Sequence, residues 1–413
     1  MQILHTADIH LDSPLSGLAG KAGGRANELV GATRRAFSGM VDFAIETGIE
    51  LVLIAGDLYD GDWKDFSTGL FFVAEMARLG KAGIRVAVVK GNHDAESHMT
   101  RSLSWPANVK VFGSERAETW IVEDLGVAVH GRSFPRREVT ENLAAGYPEP
   151  KAGLVNIGLL HTAADGTMGH GPYAPCVPAE LVAKGYDYWA LGHVHARSVL
   201  SQAPWVVFSG NLQGRHVNEA GAKGATLLTI RDGAIAAVEP VTLDVVRWAH
   251  LRVDLSGCTL FEEACGHIQQ ALAEAAADAD GRTLACRLTL QGATPLHPLL
   301  AGDLERSTAE CAALAEQVGG EVWLERVLVE TTLPAQAPAV DADAVAALLA
   351  LVDEIRNDPV QLDELRTELG AALARMPARV RQIGGLEAVD DRVLGSVLDG
   401  ASAILRHRLL DPS

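Results

Sequence analysis

The sequence predicts an α/β protein: a layered sandwich with helices over residues 1–245, then a small α/β module, then a helical tail. Three observations carry this. The first 90 residues alternate short β-branched runs with helical stretches, a closely spaced series of strand-like runs follows, and the strand–helix alternation starts afresh at Leu251.

In chain order, QILHTAD reads as the first strand, followed by a helix over 27–47, the strand LVLIAGD, a helix over 68–81 and the strand RVAVVKGN. Strands separated by helices of this length need crossovers and therefore run parallel. Further strands are expected at VKVF, TWIVE, VAVHG, IGLLHT, YDYWALG, WVVFSG and TLLTI, with a turn at RDG leading into AIAAVEPV. Their closer spacing favours antiparallel pairing. From Leu251, LRVDL, the helix FEEACGHIQQALAEAA, LACRLTL, a helix over 304–317 and VWLERVLVE make a βαβαβ module. The Pro- and Ala-rich linker LPAQAPAVDAD precedes the tail. The expected domains are therefore 1–245, 246–335, and a linker with helices over 336–413. In the tail Val345, Leu348, Leu349, Val352 and Ile355, then Leu362, Leu365 and Leu369, recur at helical spacing, which serves either a core of its own or a partner helix.

With 413 residues, 48% hydrophobic and 21% charged, the chain is expected to fold as two or three soluble domains. No uncharged apolar stretch reaches membrane-spanning length and MQILHTADIH carries no basic leader, so a cytoplasmic protein without a membrane partner is expected. Cys176, Cys258, Cys265, Cys286 and Cys311 show no paired spacing, which excludes a disulfide framework and a thiolate zinc site and predicts buried thiols. The net charge is −18, yet residues 1–250 hold 27 acids against 22 Lys and Arg, while residues 251–413 hold 26 against 13. The acidity sits mainly in the C-terminal part, and cations held by N-terminal carboxylates would bring the front half close to neutral.

Five segments place metal-type ligands just after apolar runs: Asp8 and His10 after QILHT, Asp57 and Asp60 after LVLIA, Asn92, His93 and Asp94 after VAVVK, His161 after IGLL, and His193 with His195 after YWAL. In an open α/β sheet, ligands bind outside the carboxyl ends of the strands, so separated segments can converge on one crevice. Residues i and i+2 of an extended segment share a face, so Asp8 with His10, and His193 with His195, can each point together. The glycines before Asp57, Asn92 and His193 allow sharp turns and leave room beside bound ions.

In the order DxH, GDxxD, GNHD, a lone His and GHxH, these residues resemble the calcineurin-like metallophosphoesterases. HTADIHLDSPLSGL and GNHD look like SbcD-type DNA-repair exonucleases, and HTAADGTMGHGPYAPC, KGYDYWALGHVH and FSGNLQGRH are closest to the bacterial YhaO-like subgroup. The resemblance covers residues 1–240 or so and implies a two-sheet sandwich. It also implies two divalent ions, with manganese the family expectation and iron or zinc compatible with ligands that lack thiolate. Asp8, His10 and His195 would hold one ion, Asn92, His161 and His193 the other, with Asp57 shared. Two such ions generate a nucleophile from water and clamp phosphoryl oxygens. By the same resemblance His93 would aid the leaving alkoxide, and Asp60 would orient His93 unless it is only a loop or capping acid. Asp94 reads as a supporting acid or a helix N-cap.

Other features stay open on sequence alone. The loop 163–178, with His170 and Tyr173, borders the cleft or is plain surface. Arg215 and His216 meet phosphate or form structural ion pairs; Arg132, Arg136 and Arg137 touch a DNA backbone or face solvent. The leading function is hydrolysis of DNA phosphodiester bonds at ends, as an exonuclease with an SMC-like coiled-coil ATPase. In such nucleases the added domains cap the site and dock the ATPase, and a homodimer is expected from the relatives. The alternatives are a phosphatase or cyclic-nucleotide phosphodiesterase on a small substrate, or mainly a regulatory subunit of an ATPase complex.

Overall fold

A computed structural model describes residues 1–13, 31–60, 66–96, 104–164, 173–319, 321–334, 342–376 and 388–410. Its strands are β1 (Gln2–Thr6), β2 (Leu51–Ala55), β3 (Arg85–Val89), β4 (Val109–Val111), β5 (Glu118–Val122), β6 (Val127–Gly131), β7 (Val155–His161), β8 (Tyr188–Gly192), β9 (Ser198–Gln202), β10 (Trp205–Phe208), β11 (Gly224–Arg231) and β12 (Ala234–Thr242). They form two six-stranded sheets, ordered β12-β11-β1-β2-β3-β4 and β5-β6-β7-β8-β10-β9. The expected two-sheet sandwich is what the chain builds.

Pairing corrects one expectation. β6, β7, β8 and β10 run parallel to one another, and antiparallel pairing in the second sheet is confined to its edges, β5 with β6 and β9 with β10. The reason is connection length: residues 132–154 and 162–187 are long enough to cross over, and β9, absent from the sequence reading, carries the chain from β8 to the far side of β10. In the first sheet β1 and β12 flank β11 as its antiparallel partners.

Alternation along the strands explains the layering. Ile3, Leu51, Leu53 and Ala55 point into the space between the sheets, where they meet Val127, Val129, Ile157, Leu159, Tyr188, Ala190 and Val207. The intervening Leu4, Val52 and Ile54 face outward onto Phe37, Met40 and Val41 of α1 (Ala32–Glu46) and Phe72, Met76 and Leu79 of α2 (Phe66–Lys81). Both faces being covered, the strands read as continuous apolar runs. On the second sheet's outer side Leu160, Trp189, Leu191, Val206 and Phe208 pack with Phe134, Tyr147, Tyr186 and Leu181. Two further short helices are α3 (Asn92–Glu96) and α4 (Pro178–Ala183).

The chain divides into two compact units, Met1–Ala249 with Gly281–Ala285, and His250–Asp280 with Cys286–Ser413. A three-stranded sheet is ordered β13 (Val246–Asp254), β14 (Thr283–Ala293) and β15 (Val322–Thr332). With it stand α5 (Phe261–Asp278), α6 (His297–Gly302), unforeseen in the sequence, and α7 (Leu304–Gln317). The tail forms α8 (Ala342–Asn357), α9 (Pro359–Ala374) and α10 (Asp391–Leu410). Helix α10 packs on α6 and α8 and buries Val393, Leu394 and Leu398, while Val352 of α8 is buried too. Leu362, Leu365 and Leu369 are only half-buried, and α9 buries no residue. The linker 335–341 and the side chains of Val345, Leu348 and Leu349 lie outside the described ones. Four cysteines are buried as expected, but Cys265 is only partly covered because it lies on a helix, α5, whose buried stripe is Ala264, Ile268 and Leu272. Among the described residues no helix is long and apolar enough to cross a membrane.

Trp189 shows how much the outer layer carries. It is fully buried, stacks on Tyr186 with centroids 5.0 Å apart, and donates its Nε1–H to Leu181 O at 2.9 Å. Trp189→Ala should cost about 3–5 kcal/mol, read as a lower urea midpoint; an unchanged midpoint would mean this layer contributes little.

Candidate metal centre

Parallel strands bring their carboxyl ends to the same edge, and all five motif segments leave the sheets there. Asp8 and His10 follow β1, Asp57 and Asp60 follow β2, and Asn92, His93 and Asp94 open α3 after β3. His161 is the last residue of β7, and His193 and His195 follow β8. Asp8, His10, Asp57 and His193 do not continue the strands: their φ angles are 50°, 45°, 52° and 107°. The extended i, i+2 geometry expected from sequence is therefore absent. Backbone bonds explain the departure, since the amides of Asp8, His10 and Leu11 donate to the carbonyls of Gly56, Asp57 and Leu58 at 3.0, 3.0 and 2.9 Å, zipping the two loops together as left-handed turns. Such conformations cost about 1–3 kcal/mol each in a non-glycine residue and persist where surrounding structure holds them.

The glycines serve loop packing. A Cβ on Gly91 would lie 2.1 Å from Asp57 Oδ1, and one on Gly192 would lie 2.0 Å from Ala55 O. The space they leave is taken by the neighbouring loop rather than kept beside ions. Asp94 fastens the same region: Oδ1 accepts from Leu58 N and Tyr59 N at 2.9 and 3.1 Å, and Oδ2 from Gly91 N at 2.9 Å. It acts from within α3 as a strut between the loops after β2 and β3.

The side chains converge in three overlapping groups, Asp8–His10–His195, Asp57–His161–His193 and His10–Asp60–His93, each with ligand atoms within 4.8 Å of one another. Asp57 lies at the middle. Its Oδ2 is 3.9 Å from His10 Nε2 and 3.5 Å from His161 Nε2, while Oδ1 accepts from His93 N at 3.0 Å. Asn92 Oδ1 is 2.9 Å from His161 Nε2. Asp8 accepts from His193 N through both oxygens, at 3.1 and 2.9 Å, and its Oδ1 is 3.9 Å from His195 Nε2. His193 and His195 thus serve different groups. His93 Nδ1 lies 3.3 Å from Asp60 Oδ1, and Asp60 Oδ2 accepts from Ser13 Oγ at 2.8 Å.

Burial dominates the electrostatics. It pushes Asp8 up to about 6 and Asp57 well above the usual carboxylate range, the latter aided by the negative charges of Asp94 and Asp8. The same desolvation pulls His10 down to about 3 and His161 well below the usual imidazole value, so both are neutral at pH 7. Asp60, half-buried, is held well below the carboxylate range chiefly by His10, then by Ser13 and Arg215.

These residues suit divalent cations. The donors are carboxylates, imidazoles and one amide, two of the imidazoles, His10 and His161, are neutral, and His10 Nε2 faces His195 Nε2 at 3.3 Å. Two of the imidazoles are fixed by their outer nitrogens: His161 Nδ1 by Ala55 O at 2.8 Å and His195 Nδ1 by Glu219 Oε1 at 2.7 Å, which turns Nε2 of each to the centre. Buried carboxylates crowded by like charge gain most from a shared cation.

Around this core, Arg215 approaches Asp60 Oδ2 at 3.7 Å and Glu219 Oε1 at 3.6 Å, and its field reaches Asp8, Asp57 and His93. His216 Nε2 is 3.4 Å from Glu219 Oε1. Tyr173 packs edge-on to His193 at 5.3 Å and so borders the centre, while residues 165–172, His170 among them, lie outside the described residues. Arg137 is among the cations acting on His93, whereas Arg136 is spent on Glu138 O and Glu141, and Arg132 on Ser114 O. Sequence reasoning missed Glu219 and Ser13. Nothing in VNE marks Glu219, although its neighbour Arg215 stood out.

A family model described as calcineurin-like phosphoesterase matches residues 1–197, and one described as the middle domain of the metallophosphoesterase YhaO matches residues 248–332. The uncharacterized metallophosphoesterase YhaO of Bacillus subtilis is 33% identical over 299 residues, spanning 71% of this chain and 72% of its own length. The DNA double-strand break repair protein Mre11 of Methanopyrus kandleri is 26% identical over 216 residues, 48% of this chain and 45% of that protein. Its namesake from Sulfurisphaera tokodaii is 24% identical over 262 residues, 59% and 63% of the two chains.

With His10 and His161 already neutral, protons compete with cations at the raised carboxylates. A group whose folded pKa is raised takes up a proton as pH falls through that value, so cation uptake should weaken below about pH 6 and level off above it. Manganese titrations of metal-free protein at pH 5 and pH 7.5 check this, and equal affinities would contradict it.

Proposed function

This chain belongs to the calcineurin-like metallophosphoesterases, and from that premise we propose that it hydrolyses DNA phosphodiester bonds at strand ends, as a repair exonuclease working with an SMC-like coiled-coil ATPase. The observation that carries the reading is the central carboxylate of Asp57 between His10 on one side and His161 on the other. Similarity to two proteins named for double-strand break repair supports DNA as the substrate.

In this proposal Asp8, His10 and His195 would hold one ion and Asn92, His161 and His193 the second, Asp57 would serve both, and manganese would be the ion of choice. Bound there, divalent ions would supply Lewis acidity to the phosphoryl group and acidify a water nucleophile. The chain's own residues do the rest. His93, partly exposed and paired through Nδ1 with Asp60, presents its other nitrogen to the leaving oxygen and moves a proton there. Asp60 sets that orientation, and being ionised it partly offsets the burial that pulls His93 below the usual imidazole value. Arg215, its side chain 15% exposed at the edge of the group, offers a fixed positive charge to a phosphate oxygen. We assign residues 246–335 to a cap over the substrate and 336–413 to docking the ATPase or a second copy. Helix α9 buries no residue, and the acidic balance of residues 251–413 suits a protein partner better than a phosphate backbone.

Asp57→Asn should lose at least one bound cation and nearly all activity. His93→Gln should keep its metal while kcat falls by a factor on the order of 10²–10⁴. Metal analysis beside kinetics checks both, and a His93→Gln protein without metal would refute the role given to His93. With manganese, turnover is expected on linear duplex or single-stranded DNA; robust turnover confined to cyclic nucleotides or an aryl phosphate would replace the nuclease reading by a small-ester one.

A further inference from the structure

Residues 211–219, NLQGRHVNE, form a tightly built loop whose last member reaches the centre. Gln213 Oε1 accepts from Val245 N and Val246 N at 2.9 and 3.1 Å, and Trp248 donates Nε1–H to Gly214 O at 2.9 Å. A Cβ on Gly214 would lie 2.8 Å from Glu219 O, so only glycine lets the loop close this tightly. The result is a buried Glu219 with all its oxygens engaged: Oε2 accepts from Asn211 Nδ2 and Arg215 N at 2.8 and 2.7 Å, and Oε1 faces His195 Nδ1 at 2.7 Å.

His195 Nδ1 has a rival neighbour, Arg215 Nη2 at 3.4 Å. The two contacts demand opposite tautomers. Toward Glu219 the nitrogen must carry the proton and donate; toward Arg215 it must be bare and accept, which would put the proton on Nε2, the nitrogen that faces His10. Distance decides between them: 2.7 Å is a strong charge-assisted bond, and 3.4 Å is at the outer limit of one.

Resting on the metallophosphoesterase reading above, we infer that Glu219 is a positioning residue, which holds His195 as the Nδ1–H tautomer so that the Nε2 lone pair faces the cation, and strengthens that nitrogen as a donor. Arg215, close to both Glu219 and Asp60, fixes the charge of the two carboxylates that face His195 and His93.

The test combines ¹⁵N NMR of histidine-labelled, metal-free protein with manganese titration of the wild type, Glu219→Gln and Glu219→Ala. The wild type should show His195 protonated on Nδ1. Glu219→Gln keeps an acceptor, so it should keep the tautomer and lose part of the affinity; Glu219→Ala should lose the single tautomer and bind manganese about 10–100-fold more weakly. Circular dichroism confirms that each variant is folded, and the milder Gln variant decides if Ala is not. A wild-type His195 protonated on Nε2 would overturn the inference in favour of the Arg215 contact. Equal manganese affinity across the folded variants would overturn it too. A wild type that takes up no manganese would instead bring down the metal reading itself.

Discussion

The carboxylate of Asp57 is buried between the imidazoles of His10 and His161, with Asp8 and Asp94 close enough to raise its pKa further. Desolvation and like charge both oppose ionisation there. The arrangement is unfavourable for a protein without a counter-charge and favourable around cations. Most other features at this edge of the sheets follow from keeping that group in place: the strut of Asp94, the bare Cα of Gly91 against Asp57, and the outer hydrogen bonds that aim His161 and His195 inward.

The sandwich beneath supplies rigidity. Strands with both faces covered cannot shift without opening the layer between the sheets or the layer under the helices, so their carboxyl ends are fixed points. The left-handed turns at Asp8, His10, Asp57 and His193 are strained departures from such points, the first three locked by the amide bonds between the loops after β1 and β2 and the last by the bond of its amide to the Asp8 carboxylate. Local strain concentrated where three strands end marks a functional site on backbone grounds alone. It also explains why residues two apart, His193 and His195, serve different groups.

Much of this is legible in the sequence. The layered α/β architecture follows from short apolar runs alternating with helical stretches, the two-sheet form from the family resemblance, and the ligand residues stand out because Asp, Asn and His recur directly after those runs. Direction of pairing was not legible, since it depends on whether a connection crosses over or folds back, and the edge strand β9, SVLSQ, carries too weak a pattern to reveal the detour. Backbone hand at Asp8 and His10 was equally hidden. It arises from bonds to Gly56 and Asp57, nearly fifty residues away in the chain. Glu219 stayed invisible for a similar reason: a lone Glu in a loop gains meaning only when Gly214 and Gln213 fold it back under His195.

The account depends on a pair of cations sharing one carboxylate. Anomalous diffraction from manganese-soaked crystals tests that most directly. It should show two peaks about 3.5–4 Å apart, one beside Asp8, His10 and His195 and the other beside Asn92, His161 and His193, with Asp57 between them. A single peak away from Asp57, or none at this edge of the sheets in fully soaked crystals, would contradict it.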